Sequence, residues 1–194
     1  MTLSNACTAF AGVHRIAAGH PADVAVAVKL EIESDTAISI LVFDDDTGQP
    51  IDFDLRGSEE AVRARIAVAP AAAAAPGNEA PRGRGRPKLG VVPREVTLLP
   101  RHWEWLATQP GGASVALRKL VEAARGANRG PDQIRRAQEA AGRVMLALAG
   151  DLAGYEDATR ALYARHKGRF DELVQPWPAD VRDHVSKLAA PVFA

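Results

Sequence analysis

A short run of arginine and glycine residues carries the strongest chemical signal in this sequence. Arginine alternates with glycine over residues 82–86, and Pro87 and Lys88 follow directly. The narrow minor groove of A·T-rich DNA concentrates negative potential, which attracts inserted arginine side chains. Glycine lets the backbone approach the groove floor because it has no Cβ, and proline turns the chain outward. The run therefore predicts a minor-groove contact that separates A·T from G·C base pairs.

The same run resembles the AT-hook, a DNA-binding motif with an Arg-Gly-Arg-Pro core and flanking cations. The matching residues are Arg82, Arg84, Gly85, Arg86, Pro87 and Lys88. The resemblance implies that the two core arginines enter the groove and that the flanking cations neutralise phosphate. Two alternatives remain open, namely a basic linker without a ligand and an arm that binds RNA.

The charges of the chain are unevenly distributed, although the formal net charge is zero. Residues 1–70 contain 5 Lys/Arg and 11 Asp/Glu, whereas residues 81–136 contain 12 Lys/Arg and 4 Asp/Glu. The remaining C-terminal stretch, residues 137–194, is close to neutral, with 7 Lys/Arg and 8 Asp/Glu. An even scatter would indicate only solubility, so the basic middle predicts a local site for a polyanion.

Composition argues against several other classes of protein. The single cysteine, Cys7, cannot form an internal disulfide or a cysteine-based zinc cluster. No stretch approaches the roughly 20 apolar residues of a membrane span, and the start lacks the pattern of a secretory signal, so we expect a cytoplasmic protein. The five histidines are scattered, with no nucleophile or acid at a catalytic spacing, so we expect neither an enzyme nor a cofactor.

An acidic cluster, residues 44–46, lies in a predicted hairpin turn, with Asp52 and Asp54 opposite it. Clustered carboxylates can bind Mg²⁺ or Ca²⁺, but the spacing of a calcium loop is absent here. We therefore predict a solvated hairpin tip and no metal site.

The order of elements predicts an α+β protein with four segments. These are a small α+β domain at 1–68, a flexible linker with the basic arm at 69–90, a strand–helix–helix segment at 91–127 and a helical module at 131–190. The linker is predicted from an alanine run bounded by prolines.

The elements of the first segment follow from hydrophobic periodicity and from turn residues. They are short strands at 8–12 and 14–19, a helix from Pro21, a hairpin of strands at 38–43 and 50–55, and a helix from Ser58. Four further helices are expected to start at Pro131, Gly154, Gly168 and Pro178. Their aromatic residues Tyr155, Tyr163, Phe170 and Trp177 are expected to fill the core between them.

The third segment begins with a short strand at 95–99 and continues with two helices. Pro100 ends the strand and opens the first helix. After the Pro-Gly-Gly break at 110–112, Ser114 can cap the second helix, and Ala113 or Ser114 can mark its start. The alternative is a helical hairpin with no binding role implied, in which Trp103, Trp105 and Leu106 are core residues. At least two of these three are expected to be buried in that core.

This order resembles the ribbon-helix-helix fold of bacterial DNA-binding proteins, in which two chains pair their strands into a ribbon in the major groove. The resemblance implies a homodimer in which Arg94, Val96 or Thr97 faces bases. It also implies that the amides near Ser114, with Arg118, hold phosphate. Lys119 lies beside Arg118 in the sequence and is expected to neutralise phosphate as well.

Two registers of the strand are possible, because a one-residue slip exchanges its faces. The family pattern places Leu99, Thr97 and Glu95 in the dimer core. The other register buries Leu98 and Val96 and turns Glu95 outward.

Several runs spread over nearly the full chain carry a second resemblance. They include residues 43–48, 54–57, 85–106, 111–121, 149–152 and 177–182. Together they resemble a bacterial family known only as domain of unknown function 2239. That resemblance implies no activity, no ligand and no catalytic residues.

The sequence therefore predicts a dimeric DNA-binding protein, either a transcriptional regulator or a nucleoid-associated factor. The alternative is an interaction protein whose strand dimerises, whose C-terminal helices bind a protein partner, and whose basic arm is only a linker.

Overall fold

The computed structural model describes residues 6–34, 39–67, 92 and 94–194. Its elements are β1 (Cys7–Ala11), β2 (His14–Gly19), α1 (Pro21–Ser34), β3 (Ile40–Asp44), α2 (Glu59–Ala67), α3 (Pro100–Ala107), α4 (Gly112–Ala127), α5 (Arg129–Ala149), α6 (Tyr155–Tyr163), α7 (Lys167–Val174), α8 (Ala179–Ala189) and a short 3₁₀ helix (Ala190–Val192). The α+β class is confirmed, and the eight predicted helices are all present with starts within two residues of the prediction. The basic arm, residues 82–88, lies outside the described residues.

The chain divides into two compact units. The first contains Met1–Ala72 and Pro131–Ala194, and the second contains Ala73–Gly130. Residues 1–68 and 131–190 are expected from the sequence to form separate segments, whereas in the structure both contribute to the first unit. The reason is that Phe10 and Phe43 of the sheet belong to the same buried core as the side chains of α5 to α8. Periodicity marks which face of an element is apolar but does not identify what covers that face.

The three strands form an antiparallel sheet in the order β2-β1-β3. The central strand β1 is buried on both faces: Cys7 and Ala9 pack with α1 residues Val24 and Val28, while Phe10 points into the core of the C-terminal helices. A register shift between Ala9 and Phe10 interrupts the pairing with β2. The sheet is therefore covered by α1 on one face and by the C-terminal helices on the other.

The predicted hairpin after β3 forms only at its start. The backbone N–H of Ile51 donates to the carbonyl of Val42 at 2.8 Å, and Phe43 bridges to Pro50. Beyond this bridge, residues 51–55 form no strand in the part of the chain that the structure describes. Their apolar side chains instead pack against the core beneath α1.

The acidic turn after β3 is not a solvated tip, so that prediction is wrong. The Oδ1 atom of Asp44 accepts hydrogen bonds from the backbone N–H groups of Asp46 and Thr47 at 3.0 and 2.9 Å, and Asp44 itself is buried. Asp45 accepts a hydrogen bond from Thr8 Oγ1 and pairs with Lys187 Nζ, each at 2.8 Å. Two of the three carboxylates therefore hold the turn in place, and among the described residues no cluster has the geometry of a metal site.

Burial next to these carboxylates also controls the chemistry of the one cysteine. Desolvation raises the pKa of Cys7 to about 12, and the negative charges of Asp45 and Asp44 add to this effect. The thiol is therefore protonated and unreactive at neutral pH.

The acidic turn rests directly on helix α5. Gly48 has a φ of +66°, and a Cβ atom at this position would lie 2.3 Å from the carbonyl oxygen of Ala140. Arg143 of the same helix donates a hydrogen bond to the Thr47 carbonyl at 2.5 Å. Only glycine permits both this backbone conformation and this close approach.

The C-terminal helices bury two of the four aromatic residues expected in their core. Phe170 and Trp177 are buried, and the Trp177 indole donates to the Ala153 carbonyl at 3.1 Å, whereas Tyr155 is half-buried. The prediction for Tyr163 is wrong, because this side chain is 53% exposed. The face of helix α6 that packs against the core contains Ala158, Ala161 and Leu162. Tyr163 is the next residue and lies outside that face. None of the helices among the described residues combines the length and apolarity needed to cross a membrane.

Replacing Gly48 with alanine is expected to destabilise the protein by about 2 kcal/mol or more, because the new Cβ meets backbone atoms of α5 in a strained conformation. The matched control is Gly168→Ala in α7, where an added Cβ has no neighbour within 4 Å. That control is expected to be neutral or slightly stabilising. Urea unfolding monitored by circular dichroism measures both effects. Equal stability of the two variants would contradict the proposed contact.

Candidate nucleic-acid interface

The described part of the second unit is built around a helical hairpin, here defined as residues 94–127. Pro100 opens α3 as predicted, and Leu99 before it is extended. Leu106 of α3 and Ala116 of α4 are the two buried apolar residues of this hairpin. The rest of its side chains are more exposed, so the hairpin presents most of its surface outward.

Helix α4 begins slightly earlier than predicted, at Gly112 and not at Ala113 or Ser114. Gly111 occupies the N-cap position with a φ of +85°. A Cβ atom added to Gly111 would lie 3.2 Å from the Cβ atom of Val115, so glycine avoids a tight contact here. Glycine takes this left-handed conformation with little cost, so the helix can start without a side-chain cap. Ser114 is therefore an exposed residue of the first turn and not the cap.

Two of the predicted phosphate-binding residues are brought together on α4. The Nε atom of Arg118 donates to the carbonyl of Ser114 at 3.2 Å, so the guanidinium lies along the first turns of the helix. No acidic residue occupies the first turn, so the positive end of the helix dipole is not compensated there. Lys119 is also exposed, but it lies about 100° around the helix from Arg118. The arrangement has the charge and the donors for an anion at the start of α4.

The segment before α3 indicates which of the two possible faces points toward the hairpin. Leu98 is half-buried and lines an apolar groove of about 280 Å³. The other residues that line this groove are His102, Trp105, Leu106, Leu117 and Leu120. Leu99 is 49% exposed, as expected for the opposite side of an extended chain. The structure therefore favours the register with Leu98 inward over the register implied by the family resemblance.

This register separates the three candidate base-reading residues. Thr97 shares the outward side with Glu95, whereas Arg94 and Val96 share the side of Leu98. All three candidates are exposed. Residues 94–99 form no strand with another described part of the chain, so the predicted strand at 95–99 stays a prediction that requires a second chain to test.

Large apolar side chains are exposed along the hairpin and just before it. They are Val92 (68%), Val96 (53%), Leu99 (49%), Trp103 (41%), Trp105 (51%), Leu120 (48%) and Val121 (55%). The expectation that at least two of Trp103, Trp105 and Leu106 fill a core is wrong for the single chain, because only Leu106 is buried. Two short helices have too little volume to bury both of their apolar sides.

The second unit also carries an excess of positive charge, which an equal excess of negative charge in the first unit balances. Residues 73–130 contain ten Lys/Arg and four Asp/Glu, a net charge of +6. In the described part, Arg125 pairs with Glu122 at 3.4 Å. Arg94, Arg101, Arg118 and Lys119 are exposed, and none has an ion-pair partner among the described residues.

Sequence reasoning missed a polar groove in the first unit. This groove, of about 590 Å³, lies between the acidic turn and the helices α5 and α8. Its charged residues are Asp45, Asp46, Arg136 and Lys187, of which Asp45 and Lys187 neutralise each other. The sequence contains no signal for this groove, because it is lined by residues that are far apart along the chain. Asp45 and Lys187, for example, are separated by 142 positions.

Comparison with known proteins gives one match. A family described as an uncharacterized protein conserved in bacteria, DUF2239, matches residues 6–189. No curated protein and no solved structure matches the chain. The match extends across both compact units, and its description contains no activity, ligand or partner.

Proposed function

Because the chain belongs to the uncharacterised bacterial family DUF2239, we propose its function from its own residues: it is a dimeric DNA-binding protein. In this proposal Arg84 and Arg86 enter the minor groove of A·T-rich duplex. The protein acts as a transcriptional regulator or a nucleoid-associated factor.

The observation that carries this proposal is the excess of cations in the second unit, of which Arg94, Arg101, Arg118 and Lys119 are exposed and without an ion-pair partner among the described residues. Its net charge of +6 contrasts with the balanced charges of the chain as a whole. In the first unit, most cations lie in ion pairs such as Lys29–Glu33, Lys167–Asp171 and Arg169–Glu172. Cations that are exposed and unpaired can bind phosphate without first breaking an ion pair within the protein.

The adjacency of Ser114 and Arg118 supports a phosphate contact by the hairpin. A helix N-terminus without acidic residues attracts an anion, and Arg118 adds a full charge beside it. This contact fixes the position of the protein on the duplex and carries no sequence information. The outward position of Glu95 argues against base readout by the segment that contains it, since a carboxylate is repelled by phosphate.

The exposed apolar surface of the hairpin supports dimerisation. In an antiparallel pairing about Thr97, Val96 of one chain lies opposite Leu98 of the other, on the side that faces the apolar groove. The pairing would cover side chains that a single chain leaves in water.

A second candidate function is a protein-interaction module without a nucleic-acid ligand. The observation in its favour is the exposure of Trp103 and Trp105, since tryptophan is enriched at protein interfaces. Retention of a stoichiometric protein partner, with no bound nucleic acid, would favour this candidate.

Replacing Arg84 and Arg86 with alanine is expected to abolish any preference for A·T-rich over G·C-rich duplex, because both groove contacts are lost. The control is the double variant Arg160→Ala/Arg169→Ala, which removes two exposed arginines from α6 and α7. Fluorescence anisotropy at two salt concentrations measures the affinities. The unmodified protein should lose affinity steeply with salt, by a slope of about −0.9 per phosphate contact. An unchanged A·T preference in the first variant would reject the role of the arm.

Replacing Arg118 with glutamine is expected to weaken binding to A·T-rich and G·C-rich duplex equally and to reduce the salt slope by about 1, as for one lost phosphate contact. Arg125→Gln is the matched control, because Arg125 is an exposed residue of the same helix that is paired with Glu122. The two variants are compared in the same titration. Equal slopes for both would exclude α4 as the phosphate contact.

Replacing Val96 with lysine is expected to convert the dimer to a monomer, because the new charge would be buried against the second chain. Leu146→Lys is the control, since Leu146 is an apolar residue of α5 with 65% exposure. Sedimentation velocity gives the oligomeric state. A monomeric unmodified protein, or a dimer that tolerates Val96→Lys, would contradict dimerisation through this segment.

A further inference from the structure

Helix α8 carries a buried histidine whose side chain is incompletely satisfied. His184 is 2% exposed, and its Nε2 atom has no hydrogen-bond partner among the described residues. Its ring lies 5.3 Å from the ring of Phe10, at the contact between the sheet and the C-terminal helices. Buried polar atoms without partners are rare in folded proteins and each requires a physical explanation.

Burial is the main reason why a proton on the ring of His184 is disfavoured. Burial lowers the pKa of His184; the carboxylate of Asp45 opposes this shift, and the positive charges of Lys187 and Arg15 add to it. Asp45 is already neutralised by Lys187 at 2.8 Å and by the Thr8 hydroxyl. A protonated ring would therefore be a third cation near a carboxylate that is already paired.

The same helix makes two further contacts that join the ends of the chain. Lys187 reaches the turn after β3, and Asp180 accepts a hydrogen bond from the backbone N–H of Arg15 at 2.9 Å on the outer strand β2. His184 lies between these residues in the sequence of α8. A change in the charge of His184 therefore acts on the region where both contacts are made.

We propose that His184 makes the packing of α8 against the sheet sensitive to protons, so that mild acid releases α8 from β1 and β2. On protonation the imidazolium leaves Phe10 for water, and the Lys187–Asp45 and Asp180–Arg15 contacts separate with it. At neutral pH the ring is uncharged and packs as an aromatic residue.

The direction of the effect follows from proton linkage. The pKa of His184 is lower in the packed state than in the released state, so the released state binds the proton more tightly. The stability contributed by packing is therefore fully present above the ordinary histidine pKa of about 6.5 and is lost as the pH falls below it.

The first test compares unfolding of the unmodified protein with that of His184→Phe and His184→Gln. Urea midpoints are measured between about pH 7.5 and pH 5. Relative to both variants, the unfolding constant of the unmodified protein should rise by up to about tenfold for each pH unit below about 6.5. His14→Gln, which removes an exposed histidine of β2, should keep the pH dependence of the unmodified protein. Two replacements are used because phenylalanine restores the aromatic packing and glutamine keeps a polar group.

The second test locates the change by hydrogen exchange with mass spectrometry, corrected for the intrinsic effect of pH. At about pH 5.5, peptides from α8, β1 and β2 should lose protection while peptides from α6 and α7 keep it. Parallel pH profiles for the unmodified protein and both His184 variants would overturn the proposal. Uniform loss of protection across the first unit would also overturn it, as would a His184 imidazole that titrates by NMR near pH 6.5 in the packed protein.

Discussion

The carboxylate of Asp45 joins the two ends of this chain, and the architecture of the first unit depends on that connection. One of its oxygens accepts from Thr8 in the first strand, and the other pairs with Lys187 in the last helix. The side chain of Asp45 is only 8% exposed, whereas that of Lys187 is 61% exposed, so the pair lies at the edge of the core. Loss of Lys187 would leave the Asp45 carboxylate, which is itself buried, without a counter-charge from this helix. Around it, Phe10 and Phe43 extend the core of the helices into the sheet.

This connection explains why one continuous unit can be formed by residues that lie on both sides of a long basic segment. In the first unit most cations are paired with carboxylates, within helices and at the acidic turn. The second unit, inserted in sequence between its two parts, keeps exposed cations and exposed apolar side chains in the part that the structure describes. Groups that are satisfied internally stabilise a fold, whereas groups left exposed are available to a partner. The proposed function therefore rests on this difference: the first unit provides the stable fold, and the second unit provides the exposed groups that would bind a partner.

Local signals were sufficient to predict most of the secondary structure. Proline and glycine mark helix starts for stereochemical reasons that do not depend on tertiary contacts, so Pro21 and Pro100 were placed correctly. The errors came from contacts between distant residues. The acidic turn was predicted to be solvated because nothing in the sequence connects Asp45 to Lys187. Similarly, the inward side of the segment before α3 depends on the groove that receives Leu98, and periodicity alone allows both registers.

The candidate interface shows the same limit and suggests why its two features belong together. A hairpin that buries only Leu106 and Ala116 has too little core to be stable by itself, so its exposed apolar surface requires cover. If that cover is a second copy, each assembly carries two basic arms and two α4 N-termini on one molecule. Linking two weak phosphate-directed contacts makes the second binding event intramolecular, which raises the overall affinity without any new contact. A minor-groove arm reads little sequence and binds weakly alone, so pairing is what makes such an arm effective on DNA. The proposed dimerisation and the proposed DNA binding therefore rest on one property of the described part of the second unit: its exposed apolar and basic side chains exceed what that part can satisfy internally.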